Sequence, residues 1–164
     1  METTNIEAYY NWIIENPNKV CKKTKKIYEK LVNDIKAPRE VSFFNKTTGE
    51  TETHTYIFDK QKATKPIRFV ENFCKQSKGQ WNGKNLKLEL FQKAMIEAGW
   101  GFVDKDTGLR KYKKILLFVE RKNGKSVLDS ALATYMMIGD GEGGAEIYSV
   151  ATKRDQSKIV WEET

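Results

Sequence analysis

The chain has 164 residues, of which 39% are hydrophobic and 12% aromatic, so it can bury a core and lacks the composition of a disordered protein. Its formal net charge of +7 favours a polyanionic partner, although many basic proteins bind neither nucleic acid nor another polyanion. Two cysteines, Cys21 and Cys74, exclude a disulfide framework, and we expect no signal peptide, no membrane span and a reducing, cytoplasmic location.

Two amphipathic helices and a β-hairpin are predicted in the first part of the chain. Apolar residues recur at helical spacing from Ile6 to Ile14 and again from Ile27 to Ile35. The segments VSFFN and THTYIFD flank a glycine-containing turn, which predicts two strands. The single histidine, His54, is expected to be a surface strand residue, so we predict no histidine-based metal site or catalytic triad.

The middle of the chain carries most of the excess positive charge. Residues 60–93 contain two acids, Glu71 and Glu89. The same stretch contains nine basic residues: Lys60, Lys62, Lys65, Arg68, Lys75, Lys78, Lys84, Lys87 and Lys93. These cations form either a solvated helix face or a surface for phosphates. The same stretch predicts a helix around Ile67–Cys74, a turn at QWNGKN and an extended LKLEL. A helix at FQKAMIEAGWGF and a polar loop, VDKDTGLRKYK, follow.

The last third of the chain alternates between strand-like and helix-like segments. KILLFVE and AEIYSVA are apolar runs typical of buried parallel strands, while KSVLDSALATYMMI and TKRDQSKIVWEE predict helices. The order predicts an α/β fold with a partial parallel P-loop sheet, preceded by a mostly helical N-terminal region with a small hairpin. We place the division between these domains after residue 66, giving domains 1–66 and 67–164.

Between the first apolar run and its helix lies the triplet Gly124-Lys125-Ser126, which matches the end of the phosphate-binding pattern G-x-x-x-x-G-K-[ST]. Such a loop needs backbone N–H groups at a helix N-terminus, a lysine for the phosphates and a hydroxyl for Mg²⁺. Val119 stands where the first glycine belongs, so the turn into the loop differs. The predicted nucleotide-binding residues of this loop are Arg121, Lys122, Asn123, Gly124, Lys125 and Ser126.

The segment ERKNGKS resembles the deviant Walker A motif of the large terminase subunits of tailed bacteriophages, the ATPase motors that package DNA into proheads. In that family the first Walker A glycine is often absent and an arginine precedes the loop. The segments RFVENFCKQSKGQWNGKNLKLELFQKAMIEAGWGFVD and GGAEIYSVATKRDQSKIVWEE are also similar to the family. The resemblance covers residues 67–164.

The resemblance implies roles for particular residues. Lys125 would bind the β- and γ-phosphates of ATP, Ser126 would bind Mg²⁺, and Arg121 would be a catalytic arginine acting in cis on the γ-phosphate. Gln92, in LELFQK, would read the adenine, because an amide can donate and accept at once. The resemblance also implies a location in the host-cell cytoplasm, no membrane contact and several partners: double-stranded DNA, the small terminase subunit, the portal protein and further copies of the chain.

Other parts of that family are not recognisable here. Asp104, Asp106, Asp140, Glu142 and Glu162-Glu163 are present, but none follows an apolar strand as a Walker B pair would. The nuclease domain is not found either. We therefore expect a fragment or a shortened subunit that binds nucleotide weakly at most and lacks substantial ATPase or nuclease activity by itself.

Two alternatives stay open. One is a fragment of another, helicase-like P-loop ATPase, which shares the strand, the loop and the upstream glutamine. The other is a non-enzymatic, basic DNA-binding or assembly module, in which Lys125 is one phosphate contact among many.

Overall fold

The computed structural model describes residues 3–77, 79–117, 119–120 and 123–150. The chain forms two compact units, one from Met1–Thr64 with Glu89–Ile115 and the other from Lys65–Leu88 with the described part of Leu116–Thr164. One helix, Lys60–Phe73, passes from the first unit to the second near its buried Pro66. The division into domains 1–66 and 67–164 stays a prediction.

The first unit combines helices with a three-stranded antiparallel sheet. Its helices are α1 (Asn5–Glu15), α2 (Lys22–Lys36) and α4 (Leu90–Gly101), α3 being the helix Lys60–Phe73 that leads out of the unit. Its strands are β1 (Arg39–Asn45), β2 (Glu50–Phe58) and β3 (Phe102–Asp104), in the order β1-β2-β3. The predicted helices α1, α2 and α4 and the predicted hairpin are confirmed.

The core of the first unit lies where α1 packs against α2 and α4. The buried cluster consists of Ile6, Ile13, Tyr28, Leu31, Val32, Ala94 and Phe102. The members on α1 and α2 come from the helical spacing of apolar residues in the sequence. Gly101, at the end of α4, is required for close packing, because a Cβ atom there would lie 2.5 Å from a ring carbon of Phe58.

The N-terminus of α1 is satisfied by side chains from two directions. Thr4 and Glu7 form a capping box, in which Glu7 N–H donates to Thr4 Oγ1 at 3.2 Å and Thr4 N–H donates to Glu7 Oε2 at 2.9 Å. Glu97 of α4 accepts from the Asn5 side chain at 2.6 Å and from the Ile6 N–H at 3.0 Å. Since Glu97 is only 2% exposed, these bonds fasten α1 to α4 with a buried carboxylate.

The second unit contains part of α3, a turn region and the helix α5 (Lys125–Thr134), which continues as a π-helical turn, Tyr135–Gly139. Leu128, Ala131 and Tyr135 are its buried apolar positions, and the ring of Tyr135 contacts the ring of Phe69 on α3 with centroids 5.4 Å apart. The predicted helix KSVLDSALATYMMI is therefore confirmed. The basic residues predicted as one run, apart from Lys78, which lies outside the described residues, are divided between the two units.

Two predicted strands are absent from the described part of the chain. Residues 114–117, 119–120 and 145–150 form no strand, and Leu116 and Val150 are 82% and 90% exposed rather than buried. A parallel strand needs hydrogen-bonded neighbours on the sheet, and the described residues provide none for either segment. The parallel P-loop sheet is thus not observed, and the helix predicted at TKRDQSKIVWEE lies outside the described residues.

The prediction of a polar loop at VDKDTGLRKYK is wrong at its start. Val103 and Asp104 belong to β3, where they pair with Ile57 and Tyr56 of β2, and both are buried. A strand of three residues leaves almost no periodicity in the sequence, and its partner lies some 47 residues earlier, so only the tertiary fold reveals it.

Candidate nucleotide-binding site

The predicted phosphate-binding loop leads directly into α5. Gly124 precedes the helix in the left-handed conformation, with φ 68° and ψ 20°, and Lys125 is the first helical residue. The first intrahelical hydrogen bond runs from Leu128 N–H to Gly124 O at 2.9 Å. A left-handed backbone favours glycine because a Cβ atom there crowds the following carbonyl. The glycine of the GKS triplet thus shapes the turn into the helix.

The N-terminus of α5 lacks a side-chain cap, because its N-cap residue is a glycine. The amides of Lys125, Ser126 and Val127 precede the first intrahelical hydrogen bond and have no acceptor within the helix. Amides in this position, together with the positive end of the helix dipole, attract anions. The helix start therefore presents the backbone feature that phosphate binding requires.

Lys125 folds back over the loop that precedes it. Its Nζ donates to the backbone oxygen of Val119 at 2.8 Å, which spans the loop from the first position of the pattern to the lysine. Asn123 adds a second bond across the loop, from Nδ2 to Glu120 O at 3.3 Å. The ammonium group is thus held at the loop by an exchangeable backbone acceptor rather than by a carboxylate.

One turn further along α5 stands Asp129. Desolvation raises the pKa of the Asp129 carboxyl, and the positive charge of Lys125 opposes that rise. Residues four apart on a helix lie on the same face, which explains why these two groups interact.

The described residues offer little for a metal ion. They contain no group of three or more histidine, cysteine, aspartate or glutamate side chains that could hold one. Ser126 is exposed and its hydroxyl is the ligand that the phosphate-loop pattern provides for Mg²⁺. Among the described residues of this loop, Ser126 thus carries the hydroxyl that the phosphate-loop pattern places at the metal ion.

Residues 90–164 match the family described as "Terminase large subunit, ATPase domain". This segment is therefore similar to the ATPase domain of terminase large subunits. The match begins at α4 and includes Gln92 and the whole loop that leads into α5, so the resemblance seen in the sequence is confirmed. No curated protein and no solved structure matches the chain.

Gln92, the glutamine that the terminase resemblance assigns to adenine, lies in the first unit and is 8% exposed. Its side-chain oxygen accepts the backbone N–H of Glu89 at 2.9 Å, which satisfies an amide at the start of α4. This structural role accounts for the burial of Gln92, and its adenine-reading role stays a prediction.

The other predicted site residues have different outcomes. Asn123, Gly124, Lys125 and Ser126 are adjacent in the described loop and first turn, as the pattern requires, whereas Arg121 and Lys122 lie outside the described residues. Their roles in nucleotide binding and catalysis stay predictions.

The sequence missed a polar cluster around Asp104. This carboxylate is the last residue of β3 and accepts from the backbone N–H of Thr107 at 2.7 Å and of Asp106 at 3.0 Å. His54, 25% exposed by side chain, lies 2.5 Å away through Nδ1. The Thr107 amide, with the His54 contact, lowers the pKa of Asp104 to about 2, and the same contact raises the pKa of His54. Asp104 is thus engaged by the fold rather than free as a Walker B acid.

No helix in the described part of the chain has the length and apolar character that crossing a membrane requires. Cys21 and Cys74 are both free thiols, as the sequence predicted.

Proposed function

We propose that the chain binds ATP through residues 119–126 and contributes the nucleotide-binding segment of the packaging ATPase of a phage. The observation that carries the proposal is the coincidence of the terminase family match with the start of α5. The matched segment contains a left-handed glycine, a lysine at the first helical position and three amides without an acceptor in the helix.

The proposed roles follow from the positions of the side chains. On nucleotide binding, the Lys125 ammonium exchanges its bond to Val119 O for the β- and γ-phosphates, and the free amides of the first turn complete the phosphate site. The Ser126 hydroxyl ligates Mg²⁺, which, when bound, neutralises charge on the phosphates. The terminase resemblance assigns Asn123 and Lys122 to nucleotide binding and Arg121 to catalysis on the γ-phosphate.

Adenine recognition by Gln92 has a condition that the resemblance alone does not state. The Gln92 oxygen already accepts the N–H of Glu89, so the amide NH₂ remains to donate to the base. The oxygen has a second lone pair, so it can accept from the base only alongside the Glu89 N–H or after that bond is lost. We propose that Gln92 contributes its NH₂ group first.

The proposed parent activity is ATP-driven packaging of double-stranded DNA into proheads, with DNA cutting by a nuclease domain. In that setting the partners are DNA, the small terminase subunit, the portal protein and further copies of the chain, in the host cytoplasm. The parallel P-loop sheet predicted from KILLFVE and AEIYSVA belongs to the same proposal, since both runs are apolar enough to become buried strands once paired.

We further propose that this chain alone hydrolyses ATP poorly. Positioning Mg²⁺ and activating water need carboxylates beside the phosphates. Asp104 is saturated by its own turn and by His54, and the part of the chain that the structure describes holds no acidic metal cluster. Binding without substantial turnover is the expected behaviour.

The test is binding of a fluorescent ATP analogue with Mg²⁺ to the wild-type chain and to Lys125→Ala. We expect saturable binding that weakens at least about tenfold in the variant, since charge-assisted bonds to phosphate contribute about 1.5–3 kcal/mol each. Lys114→Ala removes an exposed lysine outside the loop and is the matched control.

Equal binding by wild type and Lys125→Ala contradicts the proposal. If, in addition, the Lys125 change only slightly lowers affinity for DNA, the basic DNA-binding module becomes the better account. Robust Lys125-dependent hydrolysis would refute the expectation of poor turnover while supporting the site.

A further inference from the structure

Helix α2 carries an excess of lysines on its exposed side. Its six lysines are Lys22, Lys23, Lys25, Lys26, Lys30 and Lys36, and all are exposed. Of its two acids, Glu29 is exposed, whereas Asp34 is buried and paired with Arg39 and Lys111. The exposed side of α2 therefore has one negative charge against six positive ones.

Apart from Lys36, which lies in the last turn of α2 where the helix dipole favours positive charge, these lysines contribute little to the fold. None of their side chains makes an ion pair or hydrogen bond within the described ranges 3–77, 79–117, 119–120 and 123–150. Lys22, Lys26 and Lys30 follow one another at four-residue spacing, an arrangement that repels along a helix. The first turn of α2 has lysines and no acid, although the positive end of a helix favours negative charge. A bound polyanion would offset both the repulsion between the lysines and the unfavourable positive charge at the start of α2.

A shallow groove of about 440 Å³ runs beside this row of lysines, between α2 and the start of β1. Three cations line it, Lys26, Lys30 and Arg39, together with Glu29, Asn33 and Ala37. Arg39 is fixed in place by its Nε–H bond to Asp34 Oδ1 at 2.7 Å. The groove thus combines two exposed ammonium groups with one guanidinium held by a buried carboxylate.

This surface offers no apolar face to a bilayer and no stacking partner to exposed bases. The apolar side of α2 is already buried through Tyr28, Leu31 and Val32, which leaves Ile27 as the single exposed apolar residue of the helix and no face for a bilayer. No aromatic side chain lines the groove, so bases have nothing on which to stack. What remains is sequence-independent attraction to closely spaced phosphates.

We infer that the α2 basic surface, formed by Lys22, Lys26, Lys30 and Arg39, binds the phosphate backbone of double-stranded DNA. Residues four apart on a helix are separated by about 6 Å along its axis, so the three lysines follow the duplex over about 12 Å. The choice of duplex DNA rests on the proposed packaging function, and the electrostatic surface itself does not. The surface lies outside residues 90–164, the part that matches the terminase family.

The experiment measures affinity of the chain for a 30-base-pair duplex by fluorescence anisotropy between 50 and 200 mM salt. The variant carries Lys22→Gln, Lys26→Gln and Lys30→Gln. Each lost phosphate contact reduces the slope of log affinity against log salt by about 0.9, so we expect a slope shallower by about 2–3. Across this salt range the wild type then loses about 40-fold more affinity than the variant.

Two controls make the outcome decisive. Lys105→Gln, Lys113→Gln and Lys114→Gln remove the same charge from exposed positions outside α2 and should change the slope much less. Glu29→Gln removes the exposed acid of α2 and should strengthen binding. Circular dichroism and thermal unfolding verify that each variant folds.

An equal change in both triple variants, or no change in either, overturns the inference, as does tighter binding to single-stranded DNA of the same sequence. These results are independent of the Lys125 test. If the α2 variant binds duplex DNA as the wild type does, while nucleotide binding still depends on Lys125, the α2 surface is rejected and the ATP site is retained. If the α2 variant loses salt-dependent DNA affinity, while nucleotide binding does not depend on Lys125, the ATP site is rejected and the surface is retained.

Discussion

The N-termini of helices α1 and α5 contrast sharply. At α1, Thr4 and Glu7 cap the first turn, and the buried Glu97 accepts from Asn5 and from the Ile6 amide. At α5, the N-cap residue is Gly124, which has no side chain, and the amides of the first turn have no acceptor in the helix. One helix start is closed by the protein's own side chains, and the other is left for a different acceptor.

This difference shows how a helix start that serves stability can be distinguished from one that is available to a ligand. Every helix begins with amides that lack a partner in the helix. Where a fold supplies acceptors, as at α1, the helix start contributes to stability and is unavailable to ligands. Where a fold supplies glycine and lysine instead, as at α5, the first-turn amides can donate to an anion such as phosphate as their partner. The predictions below test this contrast, starting with the largest expected effect.

Removing Glu97, the α4 carboxylate that accepts hydrogen bonds from the start of α1, should be the most damaging change. We expect Glu97→Ala to lower the free energy of unfolding by about 2–3 kcal/mol, because the Asn5 amide and the Ile6 N–H lose a charged acceptor in a buried place. Urea denaturation followed by circular dichroism measures the loss. Glu15→Ala, a change at an exposed position of α1, is the control and should stay within about 0.5 kcal/mol. A small effect of Glu97→Ala would mean that water satisfies α1 equally well.

Adding a side chain at Gly124 should lower the free energy of unfolding by less than Glu97→Ala does, and it should act through backbone strain. Gly124→Ala forces a Cβ atom into a left-handed conformation, which costs about 1–2 kcal/mol. Gly124→Asn should cost less, because asparagine tolerates this region. Thermal unfolding of the two variants provides the measurement. If alanine is tolerated as well as asparagine, the left-handed turn before α5 is not what the glycine provides.

The capping threonine of α1 should have a moderate effect. Thr4→Ala removes the acceptor of the Glu7 N–H and should destabilise the protein by about 1 kcal/mol. Thr4→Ser keeps the hydroxyl and should recover most of the loss. Comparison of midpoints in urea tests this, and equal loss in both variants would assign the effect to the methyl group rather than to the cap.

The weakest expected effect is the pH dependence of the His54–Asp104 pair. Because the pKa of His54 is raised in the folded state, protonated His54 stabilises the fold below about pH 6.5. This stabilisation is lost as the pH rises through the raised pKa. Because the pKa of Asp104 is lowered from 3.8 to about 2, the ionised carboxylate stabilises the fold above pH 3.8. This stabilisation is lost as the pH falls toward 2. Wild type and His54→Gln should therefore differ most in melting temperature between about pH 4 and 6.5. A difference that grows above pH 8 would contradict the assignment.

The sequence predicted what local patterns can specify. Apolar spacing identified α1, α2 and α4, and paired apolar segments around a glycine turn identified the hairpin of β1 and β2. The Gly124-Lys125-Ser126 triplet identified the start of α5, because a glycine turn that leads into a helix is a local arrangement.

What the sequence could not predict depends on distant contacts. The bond from Glu97 to Ile6 joins residues 91 positions apart, and the link between His54 and Asp104 joins residues 50 positions apart. Neither leaves a periodic signal. The apolar run at Leu116 reads as a buried strand, yet burial depends on a pairing partner that the described residues do not provide.

The most direct test of the open helix start is nuclear magnetic resonance of the ¹⁵N-labelled chain during titration with a non-hydrolysable ATP analogue and Mg²⁺. The contrast between the two helices predicts saturable shifts of the backbone amides of Gly124, Lys125 and Ser126, with the amides of Ile6 and Glu7 unmoved. The Lys125→Ala chain should show weaker shifts. Unmoved amides at the start of α5 under saturating nucleotide, or equal shifts at α1, would contradict the central claim that α5 begins at a phosphate site.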